Sequence, residues 1–328
     1  MKGFAFLINT EPLAMSKDLY KNTLRGRNCH LIKLGDDNMR YRTLGRTELK
    51  VSILSFGGIM LDQLSQEKAN ETVARAIESE VNLFDVGPTY GSSQEKLGTA
   101  LETFREDVIL SCKTEPDKTA SEVREDIEES LNLLKTDYFD VYQLHEVTDE
   151  KSLNSSLKKG GALEAIIEAK NEGIINYIGF SAHSEWAALK LMKEFDFDTI
   201  MFPVNWNYWY NQNQGEKAIK EARKTEKGIL AIKALAHRQW NSEEQKKGYN
   251  TWYKPIFDNE ELAELALRFT LTKDIDTAVS PGDLRMLDLG LKIVEKFSNR
   301  SFELSGAEVD RLKKYAETQG GKLYPIPE

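Results

Sequence analysis

The chain has 328 residues, 40% of them hydrophobic and 30% charged, with 21 glycines and only 8 prolines, a balance that describes a globular chain and rules out collagenous, disordered and membrane-spanning ones. Lysine and arginine total 44 against 53 aspartates and glutamates, a formal charge of −9 with no basic run, which argues against nucleic acid or an anionic membrane as partner. Two cysteines, Cys29 and Cys112, allow neither a disulfide framework nor a paired-cysteine zinc site and point to a reducing, cytoplasmic home.

The first apolar run, Phe4 to Ile8, is too short for a secretory or membrane-spanning segment, so the chain reads as soluble. Residues 1–38 have weak periodicity and read as a loosely packed N-terminal extension, and Met39 opens one domain over residues 39–328. Tyr41 to Leu44, a Gly45-Arg46 turn and Leu49 to Ile53 predict a short hairpin, because glycine punctuates two alternating stretches. Apolar runs then recur at Ser52–Phe56, Asn82–Val86, Val108–Cys112, Phe139–Leu144, Tyr177–Phe180, Thr199–Val204, Ile229–Ile232 and Thr277–Ser280, giving eight strand candidates.

Between them the apolar residues take helical spacing, as in Ala69, Val73, Ala76 and Ile77, or Val123, Ile127, Leu131 and Leu134, or Leu262, Leu265, Ala266 and Phe269. Asp258 with Glu261 and Ser305 with Glu308 have the spacing of capping boxes that open two late helices. The stretch from His237 to Asp258, with Trp240, Tyr249, Trp252 and Tyr253, is too long for an ordinary connection and reads as a cover over a ligand. Val309, Leu312 and Tyr315 predict a closing helix. Strand then helix, eight times over, predicts an α/β fold of the (β/α)₈ TIM-barrel type with an N-terminal hairpin. A doubly wound open sheet is the alternative, weakened by the lack of a GxGxxG turn after any early strand.

A barrel places its chemistry at the C-terminal ends of its strands. The polar residues there are Asp85 and Tyr90 after the second run, Lys113 after the third, His145 after the fourth, Ser181 after the fifth and Asn205 after the sixth. The segments Asp85-Val86-Gly87-Pro88-Thr89-Tyr90-Gly91 with Glu95, Ser111-Cys112-Lys113 and Asp140-Val141-Tyr142-Gln143-Leu144-His145 resemble the aldo/keto reductases in order and spacing. The resemblance runs from about Met39 to about Lys296 and includes Leu54-Ser55-Phe56-Gly57-Gly58 and Gly179-Phe180-Ser181. It implies a barrel that binds a nicotinamide cofactor without a Rossmann fold and reduces aldehydes or ketones by hydride transfer. It also implies a catalytic tetrad of Asp85, Tyr90, Lys113 and His145. A carbonyl receiving hydride becomes an alkoxide, so Tyr90 would donate the proton, Lys113 would lower the phenol's pKa, Asp85 would hold the lysine, and His145 would orient the carbonyl oxygen.

On the cofactor side the resemblance implies contacts from Gly58, Ile59 and Met60 after the first strand, Ser181 after the fifth, Asn205 after the sixth, Lys233 and Leu235 after the seventh, and Ser280, Gly282 and Arg285 after the eighth. Ala182 stands where the family has the Asn of a Ser-Asn pair, and Met201 where it has a Gln; His183 or Asn205 would compensate. Lys233 would pair with phosphate charge. Arg285 would meet the 2′-phosphate of NADP, whereas Asp283 would repel it, and Leu291-Lys292 stand near the family's Glu-Asn pair; NADP is the implied cofactor, with NAD not excluded.

Cys112 reads as barrel packing, its strand's alternation turning it away from Lys113, and Cys29 and His30 are too isolated for a metal site. The cluster Asn205-Trp206-Asn207-Tyr208-Trp209-Tyr210 reads as ligand-facing, and Trp206, Trp209, Trp240, Trp252 and Tyr253 suggest a pocket for an apolar or aromatic carbonyl. The expected partner is a small-molecule carbonyl substrate, with the oligomeric state open. Two other functions stay open: a cofactor-sensing regulatory subunit of the same fold, and a Schiff-base aldolase or isomerase using Lys113 or Lys233.

Overall fold

The apolar runs become eight parallel strands that close on themselves in the computed structural model, which describes residues 39–241, 246 and 248–323. The extension at residues 1–38, with Cys29 and His30, lies outside the described residues. The barrel strands are β3 (Leu54–Gly57), β4 (Leu83–Asp85), β5 (Ile109–Thr114), β6 (Phe139–Val147), β7 (Ile175–Ala182), β8 (Thr199–Pro203), β9 (Gly228–Ile232) and β12 (Thr277–Val279). They follow one another in chain order, and β12 pairs with both β9 and β3 to close the ring. Strands of a parallel barrel are covered on both faces, inside by each other and outside by helices, which is why they read as unbroken apolar runs.

Strand alternation sorts the side chains of β5. Ser111 and Lys113 turn into the barrel, where they meet Asp85. Cys112 turns outward to Gln94 of α2 (Ser93–Leu101), which in turn donates to Ser130 of α3 (Ala120–Leu134) at 2.7 Å. Burial pushes the Cys112 thiol up to about 12, so it is a packing residue without nucleophilic character at neutral pH.

The helices are fixed at their ends. Thr119 and Glu122 form a capping box at α3, and Ser305 and Glu308 form the expected one at the last helix, Gly306–Gln319. The expected box at Asp258 and Glu261 is displaced by one residue. Asn259 caps the helix Glu260–Thr272 instead, its Oδ1 accepting from the Leu262 amide at 2.9 Å.

The predicted hairpin is present as β1 (Tyr41–Thr43) and β2 (Lys50–Ser52), paired antiparallel with Tyr41 opposite Ser52. Its turn is longer than Gly45-Arg46 alone and includes a 3₁₀ turn over Gly45–Thr47. Leu44 and Val51 enter the N-terminal end of the barrel and join Leu83, Ile109, Val141 and Leu230 in one core cluster. Gly45 has φ +51°, and a Cβ there would lie 2.2 Å from the Gly228 amide nitrogen, so only glycine lets the turn seat this closely. Arg40 and Arg42 donate to the carbonyls of Phe297, Ser298, Leu271 and Ile275 at the same end, placing cations where helices expose their last carbonyls.

At the opposite end, the long stretch after β9 folds into two short antiparallel strands, β10 (Ala236–Arg238) and β11 (Lys254–Pro255). Trp240 Nε1 donates to the Thr251 carbonyl at 3.1 Å and ties its limbs together. Among the described residues no helix is long and apolar enough to cross a membrane.

Candidate active site

The C-terminal end of the barrel opens into a cleft of about 740 Å³ whose lining includes Asp85, Tyr90, Lys113 and His145. Each arrives from a different strand end or from the loop after one. β4 ends on Asp85, and the loop after it doubles back at Gly87 to bring Tyr90 over the lysine. A Cβ at Gly87 would lie 2.8 Å from Cγ of Lys113, so the glycine leaves room for the aliphatic stem.

Lys113 Nζ donates to Asp85 Oδ2 at 2.6 Å and to the Tyr90 hydroxyl at 3.3 Å. The other carboxylate oxygen, Asp85 Oδ1, accepts from Ser111 Oγ at 3.0 Å and Gln143 Nε2 at 3.2 Å, and Gln143 also donates to Ser111 at 2.7 Å. Ser111 and Gln143 were not singled out as functional in the sequence. Each lies two residues before a tetrad member, so the period of two that sends Lys113 and His145 inward carries them inward as well.

Burial alone would discharge the Lys113 ammonium, but Asp85 and Tyr90 outweigh it and hold its pKa above the ordinary value. For Tyr90 the balance goes the other way. Burial raises the phenol's pKa and exceeds the lowering by Lys113, contrary to the net lowering expected from the sequence. The His145 ring stands edge-on to Tyr90 with centroids 6.0 Å apart. Burial and then the Lys113 charge lower its pKa to about 3, so the imidazole is neutral at physiological pH.

A second polar group stands on the same wall. β6 carries an irregularity between Leu144 and Val147, and Glu146 within it has φ +57°. Its Oε1 lies 3.3 Å from Nδ1 of His183, which burial and the Lys233 charge bring to a pKa of about 4. Lys233, also left-handed at φ +67°, is buried in the wall with its pKa lowered by desolvation to about 7.

Of the residues expected at the cofactor, Ile59, Ser181, Lys233, Ser280 and Gly282 line the cleft with the tetrad. Gly58, Met60, Asn205, Leu235 and Arg285 are not among its lining residues. Met60 and Leu235 are buried in the core, and at Gly58 a Cβ would meet the Asp85 carbonyl at 2.7 Å. Asn205 is wholly engaged. Its Oδ1 caps the helix α7 (Trp206–Gln212) by accepting from Asn207 and Tyr208, while Nδ2 donates to the carbonyls of Lys233 and Ala236.

Arg285 is held by Asp283 and stacked against Tyr249 and Phe257. The aromatic cluster that begins at Asn205 packs inward too: Trp206 is fully buried with Nε1 donating to the Ala236 carbonyl, and Trp209 lies against Phe269. Trp240 packs on Tyr249, leaving Trp252 and Tyr253 as the two of the five singled-out aromatics that line the cleft. The lining also carries Glu115, Asp117, Glu146 and Asp149 together with Lys151.

A nicotinamide dinucleotide needs an apolar slot for its ring, polar partners for the amide and a cation for the diphosphate. The cleft offers Met201 and Ile232 for the first, Ser181 and His183 for the second and Lys233 for the third, so its donor set fits that class of ligand.

The aldo/keto reductase family model matches residues 53–317. An uncharacterized oxidoreductase of Bacillus subtilis (strain 168), YqkF, is 31% identical over 176 residues, which is 50% of this chain and 55% of that protein. The L-galactose dehydrogenase of Arabidopsis thaliana is 33% identical over 154 residues, 43% of this chain and 47% of that one. The chain thus spans about half the length of these relatives. Among solved structures, an aldo-keto reductase of Bacillus halodurans in its holo form has the same fold, with a TM-score of 0.64 and 23% identity over 84% of this chain and 96% of that chain.

Proposed function

Because the chain belongs to the aldo/keto reductase family, a family of oxidoreductases, we propose that it reduces an aldehyde or ketone to the alcohol at the expense of NAD(P)H, with Tyr90 as the general acid. The observation that carries this reading is the Tyr90 hydroxyl, 3.3 Å from an ammonium that Asp85 holds at 2.6 Å, in the lining of a cleft of about 740 Å³.

The nicotinamide, when bound, supplies the hydride. The chain's own residues do the rest. Neutral His145 and the Tyr90 hydroxyl share the cleft wall and can both point hydrogen bonds at one carbonyl oxygen, which fixes the substrate's orientation and favours the growing negative charge. A phenol with a raised pKa keeps its proton at neutral pH until the oxygen it faces becomes a strong base. Once the proton has left, the phenolate lies against Lys113, whose charge Asp85, Ser111 and Gln143 hold in place. Lys233 would hold diphosphate charge, and Ser181 with His183 the carboxamide. The same ion pair argues against a Schiff base on Lys113, because an amine nucleophile must be neutral.

Tyr90→Phe should lower turnover of a carbonyl substrate by about a thousandfold while leaving NAD(P)H affinity, read by tryptophan quenching, unchanged. Near-full activity in that variant would overturn the assignment.

A further inference from the structure

Tyr90 stands on a loop, whereas Asp85, Lys113 and His145 stand on strands. Between β4, which ends at Asp85, and α2, which begins at Ser93, the chain has to carry the phenol over Lys113 and return to the ring of helices. Three backbone bonds shape this turn: the Val86 amide donates to the Ser111 carbonyl at 3.0 Å, the Tyr90 amide to Gly87 at 3.1 Å and the Ser93 amide to Tyr90 at 3.1 Å. The last two run between near neighbours in the chain, so they set the curvature of the turn and not its place over the cleft.

That place is set by a side chain from a different loop. Asp62 follows the 3₁₀ turn Gly58–Leu61 that leaves β3, and its Oδ1 accepts from the Ser92 amide at 3.0 Å and from Ser92 Oγ at 3.2 Å. Apart from Lys113 at the phenol itself, Asp62 is the one side chain of another element that hydrogen-bonds the segment from Gly87 to Ser92 among the described residues. It is anchored in turn, with Oδ2 accepting from Gln63 at 2.7 Å and its carbonyl accepting from Lys96 Nζ at 2.7 Å, while Lys96 also reaches the Leu61 carbonyl at 3.2 Å. The residue between Tyr90 and Ser92 is shaped for this approach. Gly91 has φ +55°, and a Cβ there would lie 2.1 Å from Asp62 Oδ1, so any other residue would strain the turn and push the carboxylate away.

We propose that Asp62 is a positioning residue for Tyr90, clamping the turn at Gly91 and Ser92 so that the phenol stays over Lys113, a proposal that rests on the reading of Tyr90 as the general acid. Asp62 is not among the residues that line the cleft, so it acts through the loop and not on a ligand. The contact it protects is the looser of the two that Lys113 makes, 3.3 Å to the phenol against 2.6 Å to Asp85. A shift of the loop by about 1 Å would break it, and a misplacement of that size costs up to about a hundredfold in rate.

The test measures kcat, KM and cofactor Kd for Asp62→Ala and Asp62→Asn in the full chain, each alone and combined with Tyr90→Phe, using NADH and NADPH with a panel of aldehydes and ketones that includes 4-nitrobenzaldehyde and glyceraldehyde. Asp62→Ala should lower kcat by about thirtyfold while KM and the cofactor Kd stay within about threefold. Asp62→Asn, which keeps an acceptor for Ser92, should restore kcat to within about threefold of the unmodified chain. In the Tyr90→Phe background Asp62→Ala should cost less than about twofold more, because a residue that acts through the phenol hydroxyl has nothing left to place. An unchanged kcat in Asp62→Ala, an Asp62→Asn variant as impaired as Asp62→Ala, or an equal loss with and without the hydroxyl would overturn the proposal and leave the reductase reading standing. Absence of turnover by the unmodified chain with either cofactor would overturn both.

Discussion

Lys113 keeps its charge in a fully buried position because Asp85 faces it at 2.6 Å, and Asp85 in turn spends its second oxygen on Ser111 and Gln143. A buried ion pair is stable only when the remaining lone pairs are satisfied in this way. The two histidines of the cleft are the reverse case, held neutral by the same burial. The folded-state pKa of His183, about 4, lies below the 6.5 of an unhindered imidazole, so the unfolded chain binds a proton first as the pH falls. Its stability contribution is therefore complete above about pH 6.5 and is lost progressively toward pH 4, by about 3 kcal/mol at the lower limit. His145, at about 3, adds to the same limb. Urea unfolding measured from pH 7 to pH 4 should show this loss, and His183→Gln should reduce its slope by about one proton, roughly 1.4 kcal/mol per pH unit; an unchanged slope would mean that His183 is not held neutral in the fold.

At the scale of elements, the join between β8 and β9 depends on one side chain. Asn205 follows β8 by two residues, caps α7 and reaches across to two carbonyls of the turn that carries Lys233. Asn205→Ala would strip partners from two amides and two carbonyls in a buried place, so it should destabilise the fold by about 3 kcal/mol. It should also weaken cofactor binding indirectly, through a displaced Lys233, whereas Asn205→Asp, which keeps the cap acceptor, should recover part of the stability. A residue that served only as a cofactor contact would leave the unfolding midpoint where it was. The sequence could not separate these roles, because an asparagine at a strand end is equally a ligand donor and the opening of a helix. The same limit explains Trp206 and Trp209: aromatic residues after a strand mark a helix as readily as a pocket, and direction is decided by the helix they belong to. The tetrad was legible for the opposite reason. Asp85, Lys113 and His145 lie on or at the ends of strands whose inward face follows from alternation, and Tyr90 lies in a loop short enough to be placed by its neighbours.

The whole molecule divides its labour along the barrel axis. All eight strands were readable because a doubly covered parallel strand is apolar on both faces, and the hairpin because glycine interrupts an alternating pattern. What the hairpin does was not readable, since only the closed barrel shows that Leu44 and Val51 complete the core at the end opposite the cleft. The same cluster takes in Met201 and Val279, which line the cleft, so the apolar interior runs from the plug to the cleft while the tetrad has its own polar anchors. Leu44 is fully buried among inward residues of at least three strands, Leu83, Ile109 and Val141, so Leu44→Ala should cost about 3 kcal/mol, read as a lowered urea midpoint with an unchanged slope. The tetrad at the cleft is held by its own hydrogen bonds, so kcat should stay within about twofold of the unmodified chain at temperatures where the variant is folded. Loss of kcat in step with stability would show instead that the hairpin plug and the cleft are coupled through the strands, and that the barrel responds as one unit from end to end.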